Sequence, residues 1–170
     1  MPGVDEQVAA GDVMKLGETQ VHVLEVPGHS LGHIAYDFED DQTAFVGDTL
    51  FALGCGRRFE GSAEQMWHNL KKLMSLPDNT TVYCTHEYTQ ANAAFAITVE
   101  HDNAALQDRV QEIARLRAQG IPTVPTSIGL ERQTNPFLRP TSNNSQATVN
   151  LVGADPLAIF AETRKRKDHF

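Results

Sequence analysis

Three residues of this chain have the type and setting to ligate metal. They are His29 in Pro27-Gly28-His29-Ser30-Leu31-Gly32-His33, Asp48 in Gly47-Asp48-Thr49-Leu50-Phe51, and His86 in Cys84-Thr85-His86-Glu87-Tyr88-Thr89. A neutral imidazole donates a lone pair, and a carboxylate can bridge two cations about 3.5–4 Å apart. Two-metal hydrolases need such groups on loops at one end of a rigid sheet, and each of these three follows a strand-like run. Taken singly, each has an ordinary alternative. A strand-end histidine is commonly a hydrogen-bonded structural residue, and Gly-Asp after a strand is commonly a turn. Their joint occurrence is more specific. They make only half of such a site: no His-x-His-x-Asp-His run occurs, and the chain holds seven histidines in all.

The elements that must position these groups are readable from hydropathy patterning and turn residues. Val21 to Val26 alternates as a strand and is ended by Pro27-Gly28. Ile34 to Phe38 and Thr43 to Gly47 predict two more strands, separated by a turn at Asp40-Asp41. Gly54, Gly56 and Gly61 predict a flexible loop. Ser62 to Leu76 predicts a helix: Ser62 and Gln65 fit a capping box, and Met66, Leu70, Leu73 and Met74 share one face. Pro77-Asp78 stops it, and Thr81 to Thr85 reads as a fourth strand. Ala91 to Val99 and Asn103 to Gln119 predict helices, the second with Leu106, Val110 and Ile113 in step. Residues 122 to 150 read as loop, with four prolines and the run Ser142-Asn143-Asn144-Ser145. Asp155-Pro156 opens a last helix, Leu157 to Asp168. Residues 1 to 12 predict no element. The division is an α/β unit over residues 1–88 and a helical unit over 89–170.

Bulk composition narrows the function classes. At 170 residues, 41% hydrophobic and 21% charged, the chain is an ordinary globular domain or parts of two. A net charge of −8 argues against nucleic acid as a partner. The cations are nonetheless clustered, at Arg57-Arg58 and at Arg164-Lys165-Arg166-Lys167, which leaves room for a basic pocket taking a small anion. Cys55 and Cys84 form no disulfide framework. No apolar run approaches the roughly 18 residues of a membrane span, and the opening residues lack the features of a signal peptide. The expectation is a soluble cytoplasmic protein.

The segments PGHSLGH, FVGDTLF, GCGRRFEGS, THEYT, ERQTNPFLR and the final RKRKD together resemble glyoxalase II, the hydroxyacylglutathione hydrolase of the metallo-β-lactamase superfamily. The resemblance runs in order from Val21 to Phe170. It implies part of an αββα sandwich followed by a C-terminal α-helical domain. It implies hydrolysis of the thioester S-lactoylglutathione to glutathione and D-lactate, with a metal-bridging hydroxide attacking the carbonyl. The metals implied are two divalent ions, zinc or else iron or manganese. His29 would ligate the first, His86 the second, and Asp48 both. His33 resembles a residue supporting the first ligand, with a plain structural hydrogen bond as the alternative. Arg57, Tyr88, Arg164 and Lys167 match glutathione-pocket positions, although Arg164 and Lys167 also fit a solvated cationic helix end. Phe59 departs from the tyrosine usual in the family and lacks its hydroxyl. The two cysteines read as small packed residues, and Arg58 and His22 as surface groups.

A second departure is larger. The family carries a Thr-x-His-x-His-x-Asp-His run well upstream, supplying four of seven ligands. Here 28 residues precede His29, no histidine precedes His22, and Asp5, Glu6 and Asp12 cannot substitute. The expectation is therefore an impaired hydrolase by itself, from truncation or an alternative start. The other expectations are an enzyme completed by a second chain, or a non-catalytic glutathione- or partner-binding module. The same loss predicts an exposed sheet edge and core face open to a complementing chain or another copy.

Overall fold

The computed structural model describes residues 3–4, 6–57 and 59–170. Asp5 and Arg58, both named above, lie outside the described residues, as do the first two positions. The strands are β1 (Val13–Leu16), β2 (Thr19–Glu25), β3 (Ile34–Phe38), β4 (Thr43–Gly47), β5 (Leu50–Phe51), β6 (Gly54–Cys55), β7 (Thr81–Cys84) and β8 (Thr126–Ser127). One sheet has the order β1-β2-β3-β4-β7-β8, and a two-stranded ribbon pairs β5 with β6. The helices are α1 (Ala63–Met74), α2 (Thr89–Val99), α3 (Ala104–Ala118), α4 (Ile128–Thr134), α5 (Asn143–Thr148) and α6 (Pro156–Asp168). A short 3-10 turn covers Pro136–Leu138. The architecture is mixed α/β with a helical C-terminal part, as expected.

Strand direction decides where chemistry can gather. β3 is antiparallel to both β2 and β4, and β7 runs parallel to β4 after the α1 crossover. So β2, β4 and β7 point the same way, and their C-terminal ends share one edge of the sheet. The α1 crossover rests on local signals that behave as the sequence implies. Ser62 and Gln65 form both bonds of the capping box, and Met66, Leu70 and Leu73 are fully buried. These three pack with Val26, Ala35, Ala44, Val46 and Val82 from one sheet face, and with Phe95, Ile128, Phe137 and Phe160 from the later helices. One core thus draws on both ends of the chain.

The opposite sheet face is aromatic and partly open. Tyr36, Phe45 and Tyr83 stand in register across β3, β4 and β7. Phe45 stacks on Tyr83 at 5.1 Å and meets Phe38 edge-on at 5.5 Å. Phe45 and Tyr83 keep about two-fifths of their surface exposed, and Leu16 on edge strand β1 keeps more.

Two local expectations are corrected, and one strand had no prediction. Residues 122–150 are not loop: they hold β8, α4, the 3-10 turn and α5. These elements are too short to show periodicity, and capping side chains carry them. Ser127, Asn135 and Ser142 each accept a bond from the backbone of the following turn. The segment marked by Gly54, Gly56 and Gly61 is loop only in part. Gly54 and Cys55 form β6 of the buried β5–β6 ribbon, and the described residues between 56 and 62 hold no helix or strand. A Cβ at Gly54 would collide with Asn92, and one at Gly56 with the Asp48 carbonyl, so these glycines permit close approach. β1 had no sequence signal strong enough to predict it.

Candidate metal centre

The three candidate ligands emerge from the shared sheet end. His29 follows β2, Asp48 directly follows β4, and His86 follows β7. They converge on the Asp48 carboxylate: His29 Nε2 lies 3.7 Å from Oδ2, and His86 Nε2 lies 3.5 Å from Oδ1. Each oxygen faces a different imidazole. Among the described residues no group of three or more His, Cys, Asp or Glu side chains could hold one ion. The arrangement is instead two imidazole–carboxylate pairs sharing one carboxylate. Its donors suit a cation pair in kind, but they give each cation only two protein ligands where three or four are usual.

Neighbouring groups fix the orientation of these donors. The Arg57 carbonyl accepts a bond from His29 Nδ1–H at 3.0 Å, which leaves the Nε2 lone pair facing Asp48. His33 Nε2 accepts the Asp48 backbone N–H at 3.0 Å. That contact needs Gly47: its φ is +54°, and a Cβ would come within 2.5 Å of His33 Nε2. Tyr88 stacks on His86 at 4.9 Å and meets Phe51 edge-on at 5.4 Å. Phe59 is largely exposed and meets the His29 ring edge-on at 4.9 Å.

The cations form a second cluster beside the first. Arg57 Nε and Arg164 Nη2 lie 3.8 and 3.0 Å from the same Asp168 oxygen. Arg164 is only 3% exposed, and its Nη1 also donates to the Cys55 carbonyl at 2.9 Å. Its guanidinium lies over Phe137. Lys167 lies over the rings of Phe95 and Phe170 and donates to the Ala91 carbonyl at 3.3 Å. Burial pushes the Lys167 ammonium below its ordinary value, and the nearby Arg164 and Arg57 charges add to this. Arg57 and Lys167 are the members that reach solvent. Cys55 is buried against Arg164, and Cys84, half-buried, donates to the His86 carbonyl, with burial raising its thiol.

Sequence reading assigned no role to Glu87, Asn92, Glu131 or Asn135. Glu87 accepts from the Thr123 backbone and hydroxyl at 2.7 and 2.8 Å and from Arg117 at 3.1 Å, which holds its carboxyl below the usual range. Glu131, fully buried, accepts from Arg109, the Thr126 hydroxyl, Asn135 and the Leu53 N–H. The sequence signal for Glu131 and Asn135 was the ERQTN run, which carries no periodicity and no recognisable ligand spacing.

The comparisons with known proteins follow the same lines. Residues 2–86 match the family model of the metallo-beta-lactamase superfamily, and residues 87–170 match that of the hydroxyacylglutathione hydrolase C-terminus. The chain is 53% identical over 170 residues to hydroxyacylglutathione hydrolase of Methylococcus capsulatus and 52% identical to that of Rhodospirillum rubrum. Each match covers 100% of this chain and 66% of the relative, so the chain spans just under two-thirds of their length. Among solved structures, ETHE1 from Myxococcus xanthus matches with TM-score 0.57 and 26% identity, over 98% of this chain and 61% of that one. TTHA1623 in a di-iron-bound form matches with TM-score 0.50 and 28% identity, over 78% and 48%. BLEG-1 B3 metallo-beta-lactamase, at 22% identity and TM-score 0.55 over 79% and 49%, shares the fold. The chain belongs to the metallo-β-lactamase superfamily and, within it, to the hydroxyacylglutathione hydrolase family.

Proposed function

We propose that this chain carries one half of the binuclear site of a glutathione thioester hydrolase, which converts S-lactoylglutathione to glutathione and D-lactate. The observation that carries the reading is the Asp48 carboxylate set between His29 and His86. His29 would hold one divalent cation, His86 the other, and Asp48 both; zinc, iron and manganese all suit imidazole and carboxylate donors. The di-iron form of TTHA1623 supports this use of the fold. Such cations lower the pKa of water and polarise a carbonyl oxygen. The chain's own residues bind and orient. Arg57 and Lys167 present cations to the carboxylates of glutathione, beside the buried Arg164. Tyr88 and Phe59 wall the thioester, and His33 fixes the Asp48 backbone. In this reading residues 1–88 carry the ligands together with Arg57, Phe59 and Tyr88, and the helical unit 89–170 binds glutathione through Arg164 and Lys167.

Two protein donors per cation make weak cation binding and slow turnover the expected behaviour of this chain alone. The open aromatic face and the β1 edge support completion by a complementing chain or by another copy. Calorimetric titration with Zn²⁺, alongside hydrolysis of S-lactoylglutathione, tests the proposal. Zn²⁺ binding that His86→Ala halves in stoichiometry supports it; unchanged stoichiometry in that variant overturns the ligand assignment. A second reading rests on the cation cluster, which is intact whatever the metal content: a non-catalytic glutathione-binding module. Glutathione binding that survives a chelator, with no thioester hydrolysis at any Zn²⁺ concentration, would favour it.

A further inference from the structure

The turn joining β5 to β6 is buried, and side chains from the helical half satisfy its peptide groups. The Leu53 N–H donates to Glu131 Oε2 at 2.9 Å. Asn135 Nδ2 donates to the Phe51 and Gly54 carbonyls at 3.3 and 3.0 Å, and Asn92 Nδ2 donates to the Ala52 carbonyl at 3.1 Å. Leu53 sits at φ +59°, a backbone conformation that an L-residue holds only when its surroundings impose it. Glu131 is itself held by Arg109 at 2.6 Å and by the Thr126 hydroxyl at 2.6 Å. Glu131 and Asn135 are fully buried and Asn92 nearly so.

The turn borders the candidate centre on both sides. Phe51, at its start, contacts Tyr88 at 5.4 Å and His86 at 6.3 Å. Beyond its end, the Gly56 N–H donates to the Thr49 carbonyl next to Asp48, and the Arg57 carbonyl accepts from His29. A shift of this turn therefore displaces groups in contact with both imidazoles. We infer that Asn135, with Glu131 and Asn92, is a positioning residue of the site: it clamps the β5–β6 turn, through which Phe51 aligns the Tyr88–His86 ring pair and Arg57 aligns His29. The inference rests on the site proposed above and gives the ERQTN segment a task in it.

The test compares Asn135→Ala with Glu100→Gln. Glu100 is equally buried, accepts from Arg139 at 2.8 Å, and takes no part in the clamp. Nuclear Overhauser cross-peaks between the Phe51 and Tyr88 rings, and between Tyr88 and His86, are read in metal-free protein. The expected result is a loss of about threefold or more in these cross-peaks in Asn135→Ala and none in Glu100→Gln. Zn²⁺ dissociation constants should rise by about 10-fold in Asn135→Ala only, the usual size for loss of a group that orients ligands. Ring contacts that persist in Asn135→Ala, or that weaken equally in both variants, overturn the inference. If Asn135→Ala does not fold, Asn92→Ala, which removes a single clamp bond, is judged by the same criteria. The ring contacts decide without metal, so a wild-type chain that binds no Zn²⁺ counts against the proposed function and leaves the positioning question answered.

Discussion

Asp48 is the pivot at the level of single residues, because both imidazoles address it and, among the described residues, no other carboxylate faces both. Asp48→Asn should therefore abolish both Zn²⁺ binding events at once, where His86→Ala removes one; a calorimetric titration distinguishes the two patterns. Gly47 is the less visible requirement. Gly47→Ala places a Cβ against His33 Nε2 and adds a left-handed backbone cost on the order of 1–2 kcal/mol. The expected outcome is a loss of about 2 kcal/mol or more in urea unfolding, together with weaker Zn²⁺ binding as Asp48 loses its backbone contact. A glycine that takes alanine without penalty would show that His33 is not held there. His29, Asp48 and His86 were legible in the sequence because each follows a strand. Their orientation was not, since it depends on a carbonyl at Arg57 and an N–H at Asp48, and main-chain groups leave no mark on residue type.

Between residues and molecule stand the elements, where two charged groups set measurable trade-offs. Glu87 ties the segment between β7 and α2 to Thr123, beyond the end of α3. Its carboxyl is depressed in the folded chain, so the stability it contributes is full above the ordinary carboxylate range and is lost as pH falls through the folded value. Glu87→Gln should flatten the acid limb of a stability–pH curve measured by urea denaturation; an unchanged limb would mean the Thr123 bonds carry no such linkage. Lys167 behaves oppositely. Burial depresses it, so its charged form opposes folding at neutral pH. Lys167→Met should raise the melting temperature by a few degrees and weaken glutathione binding in the same protein. A variant that gains stability and keeps its glutathione affinity would remove Lys167 from the pocket. The long elements, β2 to β4 and α1 to α3, were readable because hydropathy repeats over enough residues. α4, α5 and the ribbon were not, because two to seven residues held by caps and close approaches show no period.

Considered whole, the molecule has one main core serving two sequence segments. Phe160 of α6 stacks on Trp67 of α1 at 5.5 Å and meets Phe137 edge-on at 6.2 Å. Phe160→Ala should cost about 3–5 kcal/mol. Trp67 fluorescence and far-ultraviolet circular dichroism should then report a single coincident transition. Two separated transitions would show that the halves on either side of residue 88 unfold independently. The sequence divides at residue 88 by composition but does not show the shared core, since pairing of β8 with β7 and packing of α6 on α1 are contacts between distant stretches. The buried turn has a further consequence, in time. Its partners lie 40 to 84 positions downstream, and the Arg164 that grips Cys55 lies 109 positions downstream. Translation at roughly 5–20 residues per second leaves about 5–20 s between Cys55 and Arg164. Within that interval a nascent chain comes to carry His29, Asp48 and then His86 before the groups that hold their surroundings still are made. The order of synthesis thus makes the wall of the site the last part to close.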